Sequence, residues 1–163
     1  MNEVIEKTLQ VLEEGLTRNQ IEHYYNGKPI DPSALPKAEL IKGVICVYPI
    51  TSDTTIDTTN QDRSDYTVGV LVAKNVQNQY NKQAKKILNF TQMVKLVESF
   101  DTTTSPATLK TNTIRSIIRR AYNRVALGHT FTVEYDVEEI NNEMVAQALI
   151  ILEFRDLTLQ SYG

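Results

Sequence analysis

The chain has few of the side chains that metal sites and disulfides require. Its 163 residues include one cysteine and two histidines. Cys46 has no partner for a disulfide within the chain and lies in an apolar run, which favours a buried and unreactive thiol. His23 and His129 stand far apart, without the close His or Cys spacing that holds zinc. We interpret both as structural or surface histidines.

Reaction motifs are missing as well. The six glycines are scattered, and the sequence contains no GxGxxG, no P-loop, no GxSxG and no HExxH. Without these motifs the chain lacks the backbone cradle that binds phosphates and the turn that presents a nucleophilic serine. The sequence therefore predicts no enzymatic activity, no cofactor and no catalytic residue.

Length, charge and hydropathy exclude further classes. The chain has no apolar run near the roughly 20 residues that a membrane-spanning helix needs. The first sixteen residues mix acids with apolar side chains, so we expect no secretory signal and a protein made in the cytoplasm. Seventeen basic residues against twenty acidic ones give no overall attraction to nucleic acid. One domain, residues 1–163, fits this length.

The spacing of apolar residues along the chain predicts its helices and strands. Residues 4–16 repeat at helical spacing, and the Asn26-Gly27 pair predicts a tight turn or hairpin after that helix. Residues 31–37 are expected to be extended or looped because of two prolines. Strands are predicted at 41–50, 66–74, 131–138 and 148–156, helices at 82–100 and 114–127, and a loop at 101–113.

The fold prediction is an α+β domain. We expect a mixed, mainly antiparallel sheet of about four or more strands, flanked by two or three helices. The first two of those strands are expected to be buried on both faces. The helix at 114–127, ending at Gly128, could instead be a strand because it is rich in β-branched residues. Residues 139–144 are expected to turn the final hairpin.

The unusual feature of this pattern is a polar segment at residues 51–65, between two apolar strands. Loops beyond about 12 to 15 residues usually bind something or remain disordered. Its acids invite a calcium site, but the segment has neither the glycine nor the terminal glutamate of a calcium-binding loop. We therefore predict an interaction loop at a long hairpin tip, with the candidate interface residues Thr51, Asp53, Thr55, Asp57, Asp62 and Asp65.

A second candidate surface is formed by arginines. Spacing of four and five residues places them on one side of the predicted third helix, and they are Arg115, Arg119, Arg120 and Arg124. Such a stripe could contact phosphates or an acidic protein surface. The simpler interpretation is a solvated face whose arginines pair with nearby acids. Tyr122 alone does not make a base-stacking platform.

The order of these parts resembles the tail terminator and related minor tail proteins of tailed bacteriophages. The resemblance rests on an N-terminal amphipathic helix, the turn YYNGKP at 24–29, a proline-containing approach, a strand, a polar segment, the returning strand DYTVGVLVA at 65–73, and a closing strand at 148–154. It covers most of the chain as a layout. The segment at 101–113 and the arginine helix are longer than in the smaller family members.

The resemblance implies a virion protein that is assembled in the host cytoplasm. It implies a homo-oligomeric ring, commonly of six copies, at the head-proximal end of the tail tube. Such a ring ends tube growth, binds the tail tube protein and head completion or connector proteins, and can contact DNA in its channel. No membrane partner is implied. A head-to-tail connector or head closure protein, and a small cytoplasmic nucleic-acid-binding domain, are the alternatives.

Overall fold

The computed structural model describes residues 1–29, 31–58, 61–75, 91–122, 128–140 and 143–156. Within these ranges there are four α-helices, which are α1 (Asn2–Gly15), α2 (Lys37–Lys42), α3 (Thr91–Val97) and α4 (Ile114–Tyr122). The strands are β1 (His23–Asn26), β2 (Val44–Thr58), β3 (Gln61–Asn75), β4 (Phe100–Asp101), β5 (Thr108–Leu109), β6 (Gly128–Ile140) and β7 (Glu143–Asp156). A short 3-10 helix, Pro32–Ala34, precedes α2.

Five strands form one sheet in the order β1-β2-β3-β7-β6. β1 runs parallel to β2, and the other neighbours are antiparallel. β4 and β5 form a separate antiparallel pair. The predicted α+β class and the mixed, mainly antiparallel sheet are confirmed.

The main core lies between one face of this sheet and three helices, α1, α3 and α4. Because side chains alternate along a strand, every second residue of β2, β3 and β7 points to this side, which we call the helix-covered face. Its fully buried side chains include Ile45, Val70, Ile150 and Phe154. On the other side, which we call the outer face, α2 covers one end through Leu40, next to Val44, Cys46 and Ala73. The prediction that both central strands are buried on two sides is confirmed for this end of the sheet.

The outer face also contains a close approach of two residues. Tyr48 on β2 lies directly opposite Gly69 on β3. A Cβ atom on Gly69 would come within 2.5 Å of the Tyr48 ring. The ring therefore lies over the glycine, and a side chain at position 69 would require the ring to move.

The predicted loop at residues 51–65 is wrong. β2 continues to Thr58 and β3 begins at Gln61, so most of the polar segment is paired strand. The physical reason is that threonine is β-branched and suits a strand, while its hydroxyl tolerates a solvated sheet face. Register shifts occur between Pro49 and Thr51 and between Ile56 and Thr58. Residues 59 and 60 lie outside the described residues.

Two predictions around the first strand are also wrong. Ile41 does not start β2 but lies on α2, where its side chain is 54% exposed. Pro36 begins α2 as its N-cap, a role in which the missing N–H of proline has no cost. Gly43 then ends the helix with a φ of +94°. Of the turn or hairpin predicted after α1, the hairpin is wrong because β1 pairs in parallel with β2, whereas Gly27 has the positive φ expected of the turn.

The second half of the chain follows the prediction more closely. α3 confirms the predicted helix over 91–97, but Phe100 lies in β4, and residues 82–90 are outside the described ranges. The segment 101–113 contains β5. α4 is a helix and not a strand, and it does not extend to Gly128, which begins β6. The final hairpin is confirmed. β6 extends to Ile140 and β7 begins at Glu143, so the two strands occupy most of the predicted turn at 139–144.

Candidate functional site

Four of the six predicted interface residues of the polar segment, Thr51, Asp53, Thr55 and Asp65, lie on the outer face of the sheet. Thr51, Asp53 and Thr55 alternate along β2 and are exposed. Their neighbours across the sheet form a continuous surface, which we call the distal outer surface. Its residues are Thr51, Asp53, Thr55, Asp65, Thr67, Glu153, Arg155 and Thr130.

Charge is unevenly distributed on this surface. Asp53 is directly opposite Asp65, and Asp65 is in turn opposite Arg155. In the next row, Glu153 accepts a hydrogen bond from the hydroxyl of Thr130 at 3.2 Å. Among the described side chains of this surface, three carboxylates therefore stand against one guanidinium, while the side chain of Arg63, opposite Thr55, lies outside the described residues. Asp57 and Asp62 belong to β2 and β3, but their side chains lie outside the described residues.

The acidic character continues along β6, which sequence analysis did not assign to the interface. Glu134, Asp136 and Glu138 are exposed and alternate on the same side of the strand. Between them and β2, the half-buried side chains of Leu71, Leu149 and Ile151 line the outer face. The alternating pattern of residues 131–138 predicted this wet face correctly. Only the strand order shows that it is continuous with the distal outer surface.

The arginines of α4 have different environments. Arg115 donates to Glu98 at 2.9 Å and lies over the Phe100 ring, with 5.7 Å between the guanidinium carbon and the ring centre. Arg120 donates to the carbonyl oxygen of Thr111 at 2.7 Å. Arg119 is exposed and has no hydrogen-bond or ion-pair partner among the described residues. Arg124 lies outside the described residues.

Glu98 connects the arginine helix to the sheet. Its second carboxylate oxygen accepts from the hydroxyl of Tyr135 on β6 at 3.2 Å. Burial raises the pKa of Tyr135, and the nearby Glu98 carboxylate raises it further. Arg115 is therefore part of a structural network, as the simpler interpretation of the arginine stripe expects. Of the three arginines that the structure describes, Arg119 is the one best placed to meet another molecule.

The two candidate surfaces lie on opposite sides of the sheet. α4 packs on the helix-covered face, because Ile114, Ile118 and Tyr122 belong to the main core. The distal outer surface faces the other way. The sequence could not predict this arrangement, since it follows from the strand order and from the side on which α4 docks.

The described residues contain no group of three His, Cys, Asp or Glu side chains that could hold a metal ion. Cys46 is buried, and burial raises the pKa of its thiol to about 11. Such a thiol is a poor nucleophile because the thiolate is the reactive form. Among the helices of the described ranges, none combines the length and apolar character needed to cross a membrane.

No protein-family model matches this chain, and a search of curated protein sequences finds no match either.

Proposed function

We propose that this chain is a structural protein of a tailed-bacteriophage virion. In this proposal it forms a ring at the head-proximal end of the tail tube, ends tube growth and joins the tail to the head. The support is the resemblance in layout together with one structural observation. That observation is an acidic surface and an exposed arginine on opposite sides of one small subunit.

The placement of the acidic surface and the exposed arginine on opposite sides of the subunit suits a closed ring. A ring requires a heterologous interface, in which one patch on each subunit meets a different patch on its neighbour. The distal outer surface, with Asp53, Asp65 and Glu153, supplies the acidic patch. Arg119 supplies a positive charge on the other side. Complementary charges of this kind set the register of an interface and suppress wrong pairings.

The arrangement of β2 and β3 adds to this proposal. Beyond the pair of Ser64 with Asp156, the described part of the β2–β3 hairpin pairs only β2 with β3. A projecting hairpin can add contacts to a neighbouring subunit or to the tail tube.

Of the two alternatives, the head-to-tail connector or head closure protein belongs to the same class and uses the same kind of surfaces. The nucleic-acid-binding alternative is disfavoured by the contacts of α4, because Arg115 and Arg120 already donate to Glu98 and to the Thr111 carbonyl. The leading proposal does not have this difficulty, because brief contact with DNA that passes through a ring does not require Arg115 or Arg120 to be available.

A charge-exchange experiment tests the interface. We expect wild-type protein to form a particle near six times the subunit mass of 18.5 kDa, measured by mass photometry. Asp53→Arg and Arg119→Asp should each weaken assembly. An equimolar mixture of the two variants should restore it, because alternating subunits pair each natural patch with a natural one and each reversed patch with a reversed one.

Glu6→Arg is the matched control for this experiment. It makes the same change of charge at an exposed position on α1, and it should assemble like the wild type. A wild-type protein that remains monomeric at micromolar concentration, or single variants that assemble normally, would contradict the proposed interface. Electron microscopy of the ring mixed with tail tubes then tests the role. Rings at one tube end support a terminator, and rings that bind only the head connector favour the closure alternative.

A further inference from the structure

A cavity of about 320 Å³ lies beside the main core, on the opposite side of the sheet from the distal outer surface. The turn after α1, the end of β3, α3 and the segment before α4 line it. Met93 and Leu96 form an apolar floor, since both are buried in the main core. The volume is at the lower end of the range of about 300 to 1,000 Å³ that is typical of ligand pockets.

The walls of the cavity are positively charged. Lys74, Lys95 and Lys110 line it, and the described residues around it include no aspartate or glutamate. The remaining wall is made of neutral polar side chains, among them Gln92 and Asn112. Three ammonium groups around one cavity are unusual in a chain whose net charge is −3. Like charges repel, so such a cluster favours the binding of an anion.

Lys74 is held in a fixed position at the end of β3. Its ammonium donates to the carbonyl oxygens of Asn19 at 3.0 Å and Gln20 at 2.9 Å. An ammonium has three N–H donors, so one remains after these two bonds. Burial lowers the pKa of Lys74, and no carboxylate among the described residues forms an ion pair with it. A bound anion would supply the missing opposite charge.

Lys95 and Lys110 have exposed side chains with no hydrogen-bond or ion-pair partner in the described part of the chain. Lys110 lies close enough to Asp101 to contribute to the lowered pKa of that carboxyl group. However, Asp101 already accepts hydrogen bonds from the backbone N–H and the hydroxyl of Thr103, at 3.0 and 2.6 Å. Both lysines can therefore turn toward a ligand.

We propose that this cavity binds a phosphoryl group, with Lys74, Lys95 and Lys110 as its positively charged donors. The amide groups of Gln92 and Asn112 can add neutral hydrogen bonds to the phosphoryl oxygens. The volume exceeds that of one phosphate, and the apolar floor suits an organic group attached to it. The phosphoryl group comes either from a small phosphorylated molecule or from a nucleic-acid backbone. The site does not depend on the ring described above.

Isothermal titration calorimetry of the full chain with inorganic pyrophosphate, in low-salt buffer, tests the proposal. We expect saturable binding of one pyrophosphate per chain. The double variant Lys95→Gln and Lys110→Gln should weaken binding by about tenfold or more, since a hydrogen bond to a charged group is worth at least that factor. These two side chains are exposed, so their replacement leaves the core unchanged. Lys74→Met should weaken binding further, although it also removes the bonds to Asn19 and Gln20.

The matched control is the double variant Lys28→Gln and Lys42→Gln. It removes the same two charges from positions outside the cavity, and it should bind pyrophosphate like the wild type. Absence of saturable binding, or equal weakening in both double variants, would overturn the proposal. The second outcome would mean that pyrophosphate responds only to net charge.

Two further titrations distinguish the sources of the phosphoryl group. A nucleoside diphosphate and a short single-stranded oligonucleotide are compared at equal ionic strength. Tighter binding of the nucleotide, lost in the Lys95 and Lys110 variant, identifies a small molecule. Tighter binding of the oligonucleotide with the same loss identifies a nucleic-acid backbone. Binding of either that is unaffected by these lysines would count against the site.

Discussion

Asp53 and Asp65 face each other across the antiparallel pair of β2 and β3. Side chains at such positions have Cβ atoms about 4.5 to 5.5 Å apart, and like charges there destabilise the sheet. Arg155 lies opposite Asp65 on its other side, which leaves Asp53 at the exposed end of the row. Because Asp53 faces this repulsion within the subunit, its carboxylate is suited to pair with a basic group on another molecule.

We predict that Asp53→Asn has opposite effects on the subunit and on its assembly. Removing the repulsion should raise the free energy of unfolding of the isolated subunit by about 0.5 kcal/mol or less. The same change should lower the fraction of assembled particles. Urea unfolding at a dilution where the wild type is monomeric measures the first effect, and mass photometry measures the second. Glu134→Gln, opposite Leu149, has no like charge across from it and should leave unfolding unchanged.

The sequence predicted the elements whose pattern is local. The helical spacing of residues 4–16 and the alternation of residues 131–138 each need only their own segment, and both predictions were confirmed. Thr51 and Asp53 were assigned to a loop because their polarity, taken alone, does not distinguish a loop from a solvated strand. Pairing with residues 62–67 decides this, and that pairing is not visible in either segment.

The candidate surfaces were less predictable still. Arg119 is distinguished from Arg115 only by the position of Glu98, which is 17 residues away along the chain from Arg115. Lys74, Lys95 and Lys110 share no motif, because the cavity is built from distant segments that meet only after folding. Sequence spacing identifies sites within one element and misses those assembled from several.

Gly69→Ala should destabilise the fold. The new Cβ would lie within 2.5 Å of the Tyr48 ring, so the ring must move away from β3. Overpacking of this kind costs about 1 to 3 kcal/mol. In the Tyr48→Leu background the same substitution should cost clearly less. Equal costs in the two backgrounds, measured by urea unfolding, would show that the ring contact is not the cause.

Tyr122→Phe should lower stability by about 1 kcal/mol. The Tyr122 hydroxyl forms a buried hydrogen bond with the Thr8 hydroxyl at 2.7 Å, and Thr8 in turn donates to the carbonyl oxygen of Val4 at 2.6 Å. These bonds join α4 to α1. Tyr25→Phe is the matched control, because it removes an exposed bond to Glu39 at 2.6 Å and should change the free energy of unfolding less. A smaller loss for Tyr122→Phe than for Tyr25→Phe would contradict this role.

Tyr24→Phe should have the opposite sign. The Tyr24 hydroxyl is buried and has no hydrogen-bond partner among the described residues. An unsatisfied buried polar group costs about 1 to 3 kcal/mol, so its removal should stabilise the protein by up to that amount. Urea unfolding of Tyr24→Phe and Tyr122→Phe side by side gives a direct comparison of the same chemical change. Destabilisation by Tyr24→Phe would mean that the hydroxyl is satisfied in solution.

Cys46 should react slowly with thiol reagents and should make the fold sensitive to high pH. Burial, with a smaller contribution from Glu39, raises the pKa of this thiol from 9.0 to about 11. At pH 8 the thiolate fraction is then about a hundredfold lower in the folded protein than in the unfolded one, and labelling should slow by at least that factor.

The sign of the pH effect on stability follows from the same shift. Below pH 9 the thiol is protonated in both states and has no effect on unfolding. Between pH 9 and 11 it ionises only in the unfolded chain, so stability falls as pH rises. Tyr24 contributes in the same direction at higher pH, because burial raises its pKa to about 12. Cys46→Ala should therefore lose less stability between pH 9 and 11 than the wild type. An identical decline in the two proteins would contradict a buried, protonated thiol.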